Sequence, residues 1–304
     1  MIRWLALLLL TGPAAAADLA FVTSQNADSL SVVDLGSGAV LATTALPGAP
    51  APVAYDPAHR RAFAIAAKTG HLSVLDEAGQ VTGGADLPEG AFGLAVAPDG
   101  GLFITEWYQG LLIRLGPDLK PLWQVPTGKA PAGVATDGRL VATADRDDDR
   151  VSIFDAASGA LKARVAVGKH PYALAFHEGR LWSVNVQGDS VSVVDPQTGR
   201  LLGQVATGSH PYGIAFAGGR GFVTDQYAGT VTVFDPASLT VIATLETGDY
   251  PEGIAPLPDG SGVVVAHWDS NTLVWIDAVS LKITREIDLP DGPRAFGAFT
   301  GRQR

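Results

Sequence analysis

Short segments in which small polar and apolar residues alternate recur along the whole chain. Six of them end in aspartate, at residues 30–34 (LSVVD), 72–76 (LSVLD), 151–155 (VSIFD), 191–195 (VSVVD), 231–235 (VTVFD) and 273–277 (LVWID). A degenerate copy at 112–116 (LIRLG) fills the gap, so that seven segments start 39 to 42 residues apart. The alternation predicts β-strands, and a fixed period of this length predicts a repeat architecture.

Each repeat contains three further predicted strands, which are clearest between residues 212 and 246. Strands are predicted at 212–216, 221–225, 231–234 and 241–246, with turn residues between them. No window has the apolar spacing of an amphipathic helix. Four strands in about 40 residues is the size of a propeller blade, so the chain is predicted to be an all-β, seven-bladed β-propeller of four-stranded antiparallel blades.

The two ends of the chain predict how the ring closes. Residues 19–24 match a second strand, whereas residues 293–300 (PRAFGAFT) match a first strand. The C-terminal strand is therefore expected to join the N-terminal blade (a 1+3 closure), which pairs edges that an open array would leave bare. First strands are expected to start near residues 52, 91, 131, 171, 211, 251 and 293, within one domain that spans residues 18–304.

The aspartates that end the third strands are expected to shape turns rather than to carry chemistry. In residues 155–159 (DAASG) and 195–199 (DPQTG), the aspartate can accept backbone N–H bonds from two and three residues further on. The glycine supplies the positive φ that closes the hairpin.

The first 17 residues have the pattern of a secretory signal peptide. Arg3 gives a basic start, residues 4–10 are apolar, and small residues lead to an expected cleavage near Ala17. The apolar stretch is too short to cross a bilayer. The protein is therefore predicted to be periplasmic or secreted, without a membrane span.

The composition excludes cysteine-based chemistry and argues against a nucleic-acid partner. The chain has no cysteine, which excludes disulfides, a thiol nucleophile and a cysteine-attached haem. Its formal net charge of −10 leaves no basic stripe for phosphates, so no nucleic-acid partner is expected. We expect a monomer.

The repeats resemble the YVTN-type (YncE-like) β-propeller repeat. That repeat has a strand near Tyr-Val-Thr-Asn, a polar turn, a VSVID-like strand and later G-x-x-P-x-G-I-A. Residues 191–195 (VSVVD) and 208–215 (GSHPYGIA) match it, and residues 222–225 (FVTD) are a degenerate form of the first strand. The resemblance covers the chain after residue 17 and implies a seven-bladed β-propeller. The family mixes enzymes, electron-transfer partners and binding scaffolds, and similar propellers serve quinoprotein or redox systems.

One candidate site lies where the second strands end. The same position in the seven repeats holds Ser24, Ala66, Glu106, Asp145, Asn185, Asp225 and His267. Asn and Asp at a strand end commonly cap a turn. The alternative is that Glu106, Asp145, Asn185 and Asp225 converge on a divalent cation such as Ca²⁺, by analogy with seven-bladed lactonases that hold a metal near their axis.

A second candidate site lies where the chain enters the first strands, at the expected mouth of the central channel. Six side chains there carry imidazole, phenol or guanidinium groups, which a purely structural loop does not need. They are His170, Tyr172, His210, Tyr212, Tyr250 and Arg294. Trp107, Tyr227 and Trp268 follow the polar positions on the same face, where they are expected either to wall a flat aromatic or sugar ligand or to pack between blades.

Two functions follow from these candidates. The favoured one is an exported binding or scaffold propeller whose top face docks a small molecule or another periplasmic protein, in a role accessory to a quinoprotein or redox system. The alternative is a metal-dependent enzyme of lactonase or lyase type, with the four carboxylate and amide residues around a metal and His170 or His210 as general base.

Overall fold

Seven four-stranded antiparallel sheets form the described part of the protein, residues 17–303 of a computed structural model. The predicted signal peptide, apart from Ala17, lies outside the described residues. Within residues 17–303 no helix is long and apolar enough to cross a membrane. The helical structure of this range is one 3-10 turn, Arg146–Asp148.

The first four blades are formed as follows. Blade 1 contains β1 (Asp18–Ser24), β2 (Ser29–Asp34), β3 (Val40–Ala45) and β28 (Thr300–Arg302). Blade 2 contains β4 (Pro50–Asp56), β5 (Arg61–Ala66), β6 (His71–Asp76) and β7 (Val81–Asp86). Blade 3 contains β8 (Ala91–Val96), β9 (Leu102–Glu106), β10 (Leu111–Leu115) and β11 (Pro121–Pro126). Blade 4 contains β12 (Pro131–Thr136), β13 (Leu140–Asp145), β14 (Arg150–Asp155) and β15 (Leu161–Ala166).

The remaining three blades repeat the same order. Blade 5 contains β16 (Pro171–His177), β17 (Arg180–Asn185), β18 (Ser190–Asp195) and β19 (Arg200–Ala206). Blade 6 contains β20 (Pro211–Ala217), β21 (Arg220–Asp225), β22 (Thr230–Asp235) and β23 (Thr240–Glu246). Blade 7 contains β24 (Pro251–Pro256), β25 (Gly262–His267), β26 (Thr272–Asp277) and β27 (Ile283–Asp288). The predicted fold class is therefore confirmed, and the four strands predicted for blade 6 agree to within one residue at each end.

Ring closure through the C-terminal strand is also confirmed, with a difference in detail. The segment predicted as a strand at 293–300 is regular only from Thr300, where β28 pairs with β1, and Pro293 forms an isolated bridge to Ser24. Between them, Ala295 and Gly297 have φ values of 45° and 131°, which break the pleat. This part of the segment instead pairs in parallel with blade 2 through Phe296. The first strand of blade 2 begins at Pro50, two residues before the predicted start.

The aspartate turns are confirmed as hairpin devices. Asp195 accepts hydrogen bonds from the backbone N of Gln197 at 2.9 Å and the hydroxyl of Thr198 at 2.6 Å. Gly199 has φ 68°, as the closing residue of such a turn requires. The same bonding recurs from Ser280 to Asp277.

Glycines allow the first strands to approach one another around the axis. A Cβ on Gly93 or on Gly133 would lie 2.3 Å from a backbone carbonyl oxygen of the next blade. In blade 3, Thr105 then joins the two blades: its hydroxyl accepts from Gly93 N at 2.7 Å and donates to Ala132 O at 2.6 Å. Buried aromatic residues such as Trp182 and Phe234 fill the space between blades further out.

Candidate functional site

The loops that follow the second strands and the loops that lead into the first strands lie on one face, which we call the upper face. Backbone bonds join them, as from Gln226 N to His210 O at 3.0 Å and from Trp268 N to Tyr250 O at 2.9 Å. The turns that join first to second strands lie on the opposite, lower face, and this arrangement is the one expected from strand direction.

One residue from each blade forms a ring around the axis near the upper face, here called the axial ring. Each member follows the first residue of an innermost strand or of the C-terminal segment: Ala51, Phe92, Ala132, Tyr172, Tyr212, Glu252 and Arg294. Two members are small, and the other five are large enough to reach across the axis.

Aromatic packing fills the axial ring. The ring centroids of Tyr172 and Tyr212 are 4.9 Å apart, and Phe296 packs against both at 5.1 and 5.6 Å. Phe92 contacts Phe296 at 5.2 Å and Tyr172 at 5.8 Å. These four side chains therefore close the channel towards the upper face, where the sequence predicted an open mouth.

A polar network completes the axial ring. Arg294 Nε donates to Tyr212 Oη at 2.9 Å and lies 2.9 Å from Glu252 Oε2. Its Nη1 donates to Gln25 Oε1 at 2.7 Å, and Gln226 Nε2 donates to Glu252 Oε1 at 2.5 Å. The network ties blades 1, 6 and 7 together at the axis.

Burial dominates the electrostatics of this network. The side chain of Glu252 is 3% exposed, and its burial raises the pKa to about 7 although Arg294 and Gln226 both act to lower it. Burial also raises the pKa of the Tyr212 phenol, against the opposing effect of Arg294. Since the single Nε hydrogen of Arg294 points at Tyr212 Oη, Glu252 Oε2 has no aligned donor among the described residues.

Below the axial ring lies a cavity of about 470 Å³. The side chains of its walls are mainly apolar and include Leu94, Val134, Leu174, Ile214, Ile254 and Phe296, and a smaller part of its surface is polar. Glu252 is the one acidic residue among the lining residues that the structure describes. Towards the lower face the lining ends at strand termini such as Thr136, His177 and Pro256, where His177 stacks on Phe216 with centroids 4.0 Å apart. Burial lowers the pKa of His177, which favours its neutral form.

A second group of predicted residues lies away from the axis on the upper face. His210 stacks on Tyr227 at 3.9 Å, Tyr227 contacts Tyr250 at 5.6 Å, and Tyr250 contacts Trp268 at 6.1 Å. Tyr227 is 58% exposed and Tyr250 is 38% exposed. We call these four residues the outer aromatic row.

Trp107 and His170 belong to neither group. Trp107 packs edge-on against Phe92 at 5.6 Å, and the guanidinium of Arg146 lies 4.2 Å from the centroid of its ring. His170 Nε2 lies 3.5 Å from Asp147 Oδ1 on the surface of blade 4 and blade 5. The structure therefore divides the predicted mouth residues into three places.

The predicted metal ligands are fully buried, each within its own blade. The carboxylate of Glu106 accepts from the backbone N of Tyr108 at 2.9 Å and of Gln109 at 2.7 Å, and so caps its turn. Asp145 accepts from the hydroxyls of Thr143 at 2.7 Å and Ser152 at 2.5 Å.

Asn185 and Asp225 follow the same scheme. Asn185 Nδ2 donates to Ser192 Oγ at 3.0 Å, and Asp225 Oδ2 accepts from Thr232 Oγ1 at 2.7 Å. Burial raises the pKa of Asp225 to about 6. Across residues 17–303, no three His, Cys, Asp or Glu side chains are grouped so that they could hold a metal ion. The metal site stays a prediction without a ligand cluster to support it.

Sequence reasoning missed part of the axial ring and its supports. Glu252, Phe92, Phe296, Gln25 and Gln226 were not candidates, although Glu252 and Phe92 occupy the same repeat position as Tyr172 and Tyr212. Aligning that position through all seven repeats would have found both. Gln25 and Gln226 directly follow Ser24 and Asp225, the same repeat position that the candidates Trp107 and Trp268 occupy, so this register would have found them. Phe296 has no such signal, because it lies in the irregular C-terminal segment.

Neither the family models nor the curated proteins include a match to this chain. Solved structures similar to it include a functionally unknown protein from Desulfotomaculum acetoxidans, with 16% identity and a TM-score of 0.78 over 91% of this chain and 98% of that chain. Another is a streptogramin B lyase, with 16% identity and a TM-score of 0.71 over 84% and 92%. A third is the hydrazine synthase of Kuenenia stuttgartiensis, with 17% identity and a TM-score of 0.72 over 83% and 90%.

These structures have different names and activities but one architecture. At such low identity the likeness extends to the fold alone. The chain is a seven-bladed β-propeller, as its own strand order and its structural relatives both show.

Proposed function

We propose that the protein is a binding propeller that takes a small, mainly apolar molecule into its central channel from the lower face. The observation that carries the proposal is the cavity of about 470 Å³, with apolar walls and a closed end at the axial ring. Cavities of this size and lining are typical of small-molecule sites. The predicted export and the YVTN-type resemblance fit such a role, and the accessory role in a redox system stays a prediction.

The separation of the polar side chains at the second-strand ends supports binding over metal-dependent catalysis. The metal-dependent alternative needs Glu106, Asp145, Asn185 and Asp225 to converge on one point. In the described residues, the polar side chains at the second-strand ends are instead bonded within separate blades. The lactonase or lyase alternative would be supported by a Ca²⁺-dependent rise in melting temperature that Glu106→Gln abolishes.

Blocking the channel tests the proposal. Ala298 lines the cavity and is exposed, so Ala298→Trp should fill the channel without disturbing a packed core. Ala228, an exposed residue beside Tyr227 on the upper face, provides the matched control Ala228→Trp. Fluorescence titration with 2-naphthol measures binding to each protein.

We expect Ala298→Trp to abolish binding of 2-naphthol and Ala228→Trp to bind as the wild type does. Circular dichroism melting of both variants checks that the propeller is intact. Wild-type affinity in a folded Ala298→Trp protein would contradict the channel site.

A further inference from the structure

The closed end of the channel contains a hydrogen-bond acceptor that the protein leaves without a donor. Glu252 Oε1 is used by Gln226, but Oε2 has Arg294 Nε as its near neighbour and receives no aligned hydrogen bond. A buried acceptor without an aligned donor is unfavourable. A ligand that supplies the missing donor would remove this cost.

The charge at this end of the channel is balanced. At about pH 8, above the pKa of about 7 of Glu252, this residue and Arg294 carry opposite charges 2.9 Å apart, so a charged ligand would lose its hydration without meeting a net opposite charge. Besides Glu252, the titratable residues of the lining are Tyr55, whose hydroxyl donates to Glu77 Oε1 at 2.7 Å, and His177, which stacks on Phe216. The channel therefore offers no net charge to attract an ion.

The remaining walls offer mainly apolar contacts. Leu94, Val134, Leu174, Ile214 and Ile254 come from five successive blades and surround the axis below Glu252. Contacts of this kind favour an apolar body in proportion to the area that it buries. At the closed end of the channel the buried polar side chain of the lining is Glu252, so the polar group of a ligand that fills this end would lie beside it.

We propose that the channel selects uncharged, mainly apolar molecules that carry one hydroxyl or N–H donor, such as phenols and alcohols, and that Glu252 accepts this hydrogen bond. The inference rests on the channel being the binding site. It adds the chemical class of the ligand and assigns its selection to Glu252, which was not among the candidate residues predicted from the sequence.

Three naphthalene derivatives that differ in one substituent test the inference on the full chain. 2-Naphthol has the donor, 2-methoxynaphthalene lacks it, and 2-naphthoate is an anion. We expect 2-naphthol to bind about tenfold more tightly than the methyl ether, as a hydrogen bond to a charged acceptor would give, and 2-naphthoate to bind most weakly. In Glu252→Gln, the preference for 2-naphthol over the ether should fall to about threefold or less.

The outcomes distinguish an error in the proposed ligand class from an error in the proposed binding site. Equal affinities for naphthol and ether, with both blocked by Ala298→Trp, would overturn the role of Glu252 and leave the channel site intact. Tightest binding of 2-naphthoate would also overturn it. No binding of any of the three would overturn the channel site and the inference together. The wild-type comparison holds even if Glu252→Gln does not fold.

Discussion

The two ends of the central channel have the same backbone but opposite character. At the upper end, five of the seven axial-ring positions carry large side chains, of which three are aromatic and two form the Arg294–Glu252 ion pair. At the lower end, the same strands present small and aliphatic residues such as Ala175, Ala215 and Val96, and the channel stays open. The difference shows how a repeat protein acquires an individual site: one position per blade is varied while the strands that position it are kept.

Among the changes that test this comparison, removing Arg294 should have the largest effect on the free energy of unfolding. Arg294→Ala leaves the buried carboxylate of Glu252 without its counter-ion and takes a donor from Tyr212, so we expect a loss of about 3–5 kcal/mol in the free energy of unfolding. Urea unfolding measures the loss.

The matched control is the exposed Arg302–Asp18 pair, in which the arginine side chain is 57% exposed. Arg302→Ala should cost less than about 1 kcal/mol, because exposed ion pairs are weak. Similar losses in the two variants would mean that the axial ion pair is no more important than a surface one.

Neutralising Glu252 should have the next largest effect, visible in the pH dependence of stability. Because the folded-state pKa of about 7 lies above the ordinary 4.5, the folded protein binds the extra proton between these values and loses stability as the pH rises through them. Relative to the wild type, Glu252→Gln should gain on the order of 2–3 kcal/mol between about pH 5 and about pH 8.

Urea unfolding at both pH values gives this difference. Asp225 and His267, whose pKa values are shifted by burial to about 6 and about 4, titrate in both proteins and so cancel in the comparison. Parallel pH profiles for wild type and variant would show that Glu252 ionises normally.

A substitution in the outer aromatic row should have the smallest effect on stability and on ligand affinity. Tyr250 is 38% exposed and lies outside the axial ring, so Tyr250→Ala should alter the free energy of unfolding by no more than about 0.5 kcal/mol and leave 2-naphthol affinity unchanged. Calorimetric titration alongside urea unfolding checks both. A loss of more than about tenfold in affinity would move the binding site to the upper face.

The fold could be predicted because each repeat carries a similar pattern of four strands. The third strands ending in Asp34 through Asp277 carry the alternation and the turn chemistry in the sequence itself, and even the degenerate copy appears as β10 (Leu111–Leu115). Local patterns of this kind need no knowledge of distant contacts. The interrupted strand at 293–300 was less predictable, because its partner in the neighbouring blade, Pro52, is far away in the chain.

The site could be predicted only in part. Tyr172, Tyr212 and Arg294 were identified by residue type, and the structure brings them together. His210, Tyr250 and Arg294 come from the same kind of loop, yet only two residues separate an outward position such as His210 from the axial position of Tyr212. That the large axial residues close the channel depends on how five blades pack at once, which no single repeat encodes.

A crystal structure of the full chain soaked with 2-naphthol would test the channel site most directly. We expect the naphthalene ring below Phe296, between Leu174 and Ile254, with its hydroxyl within hydrogen-bond distance of Glu252 Oε2. Naphthol bound instead on the outer aromatic row, between Tyr227 and Tyr250 and with the channel free of ligand, would contradict it.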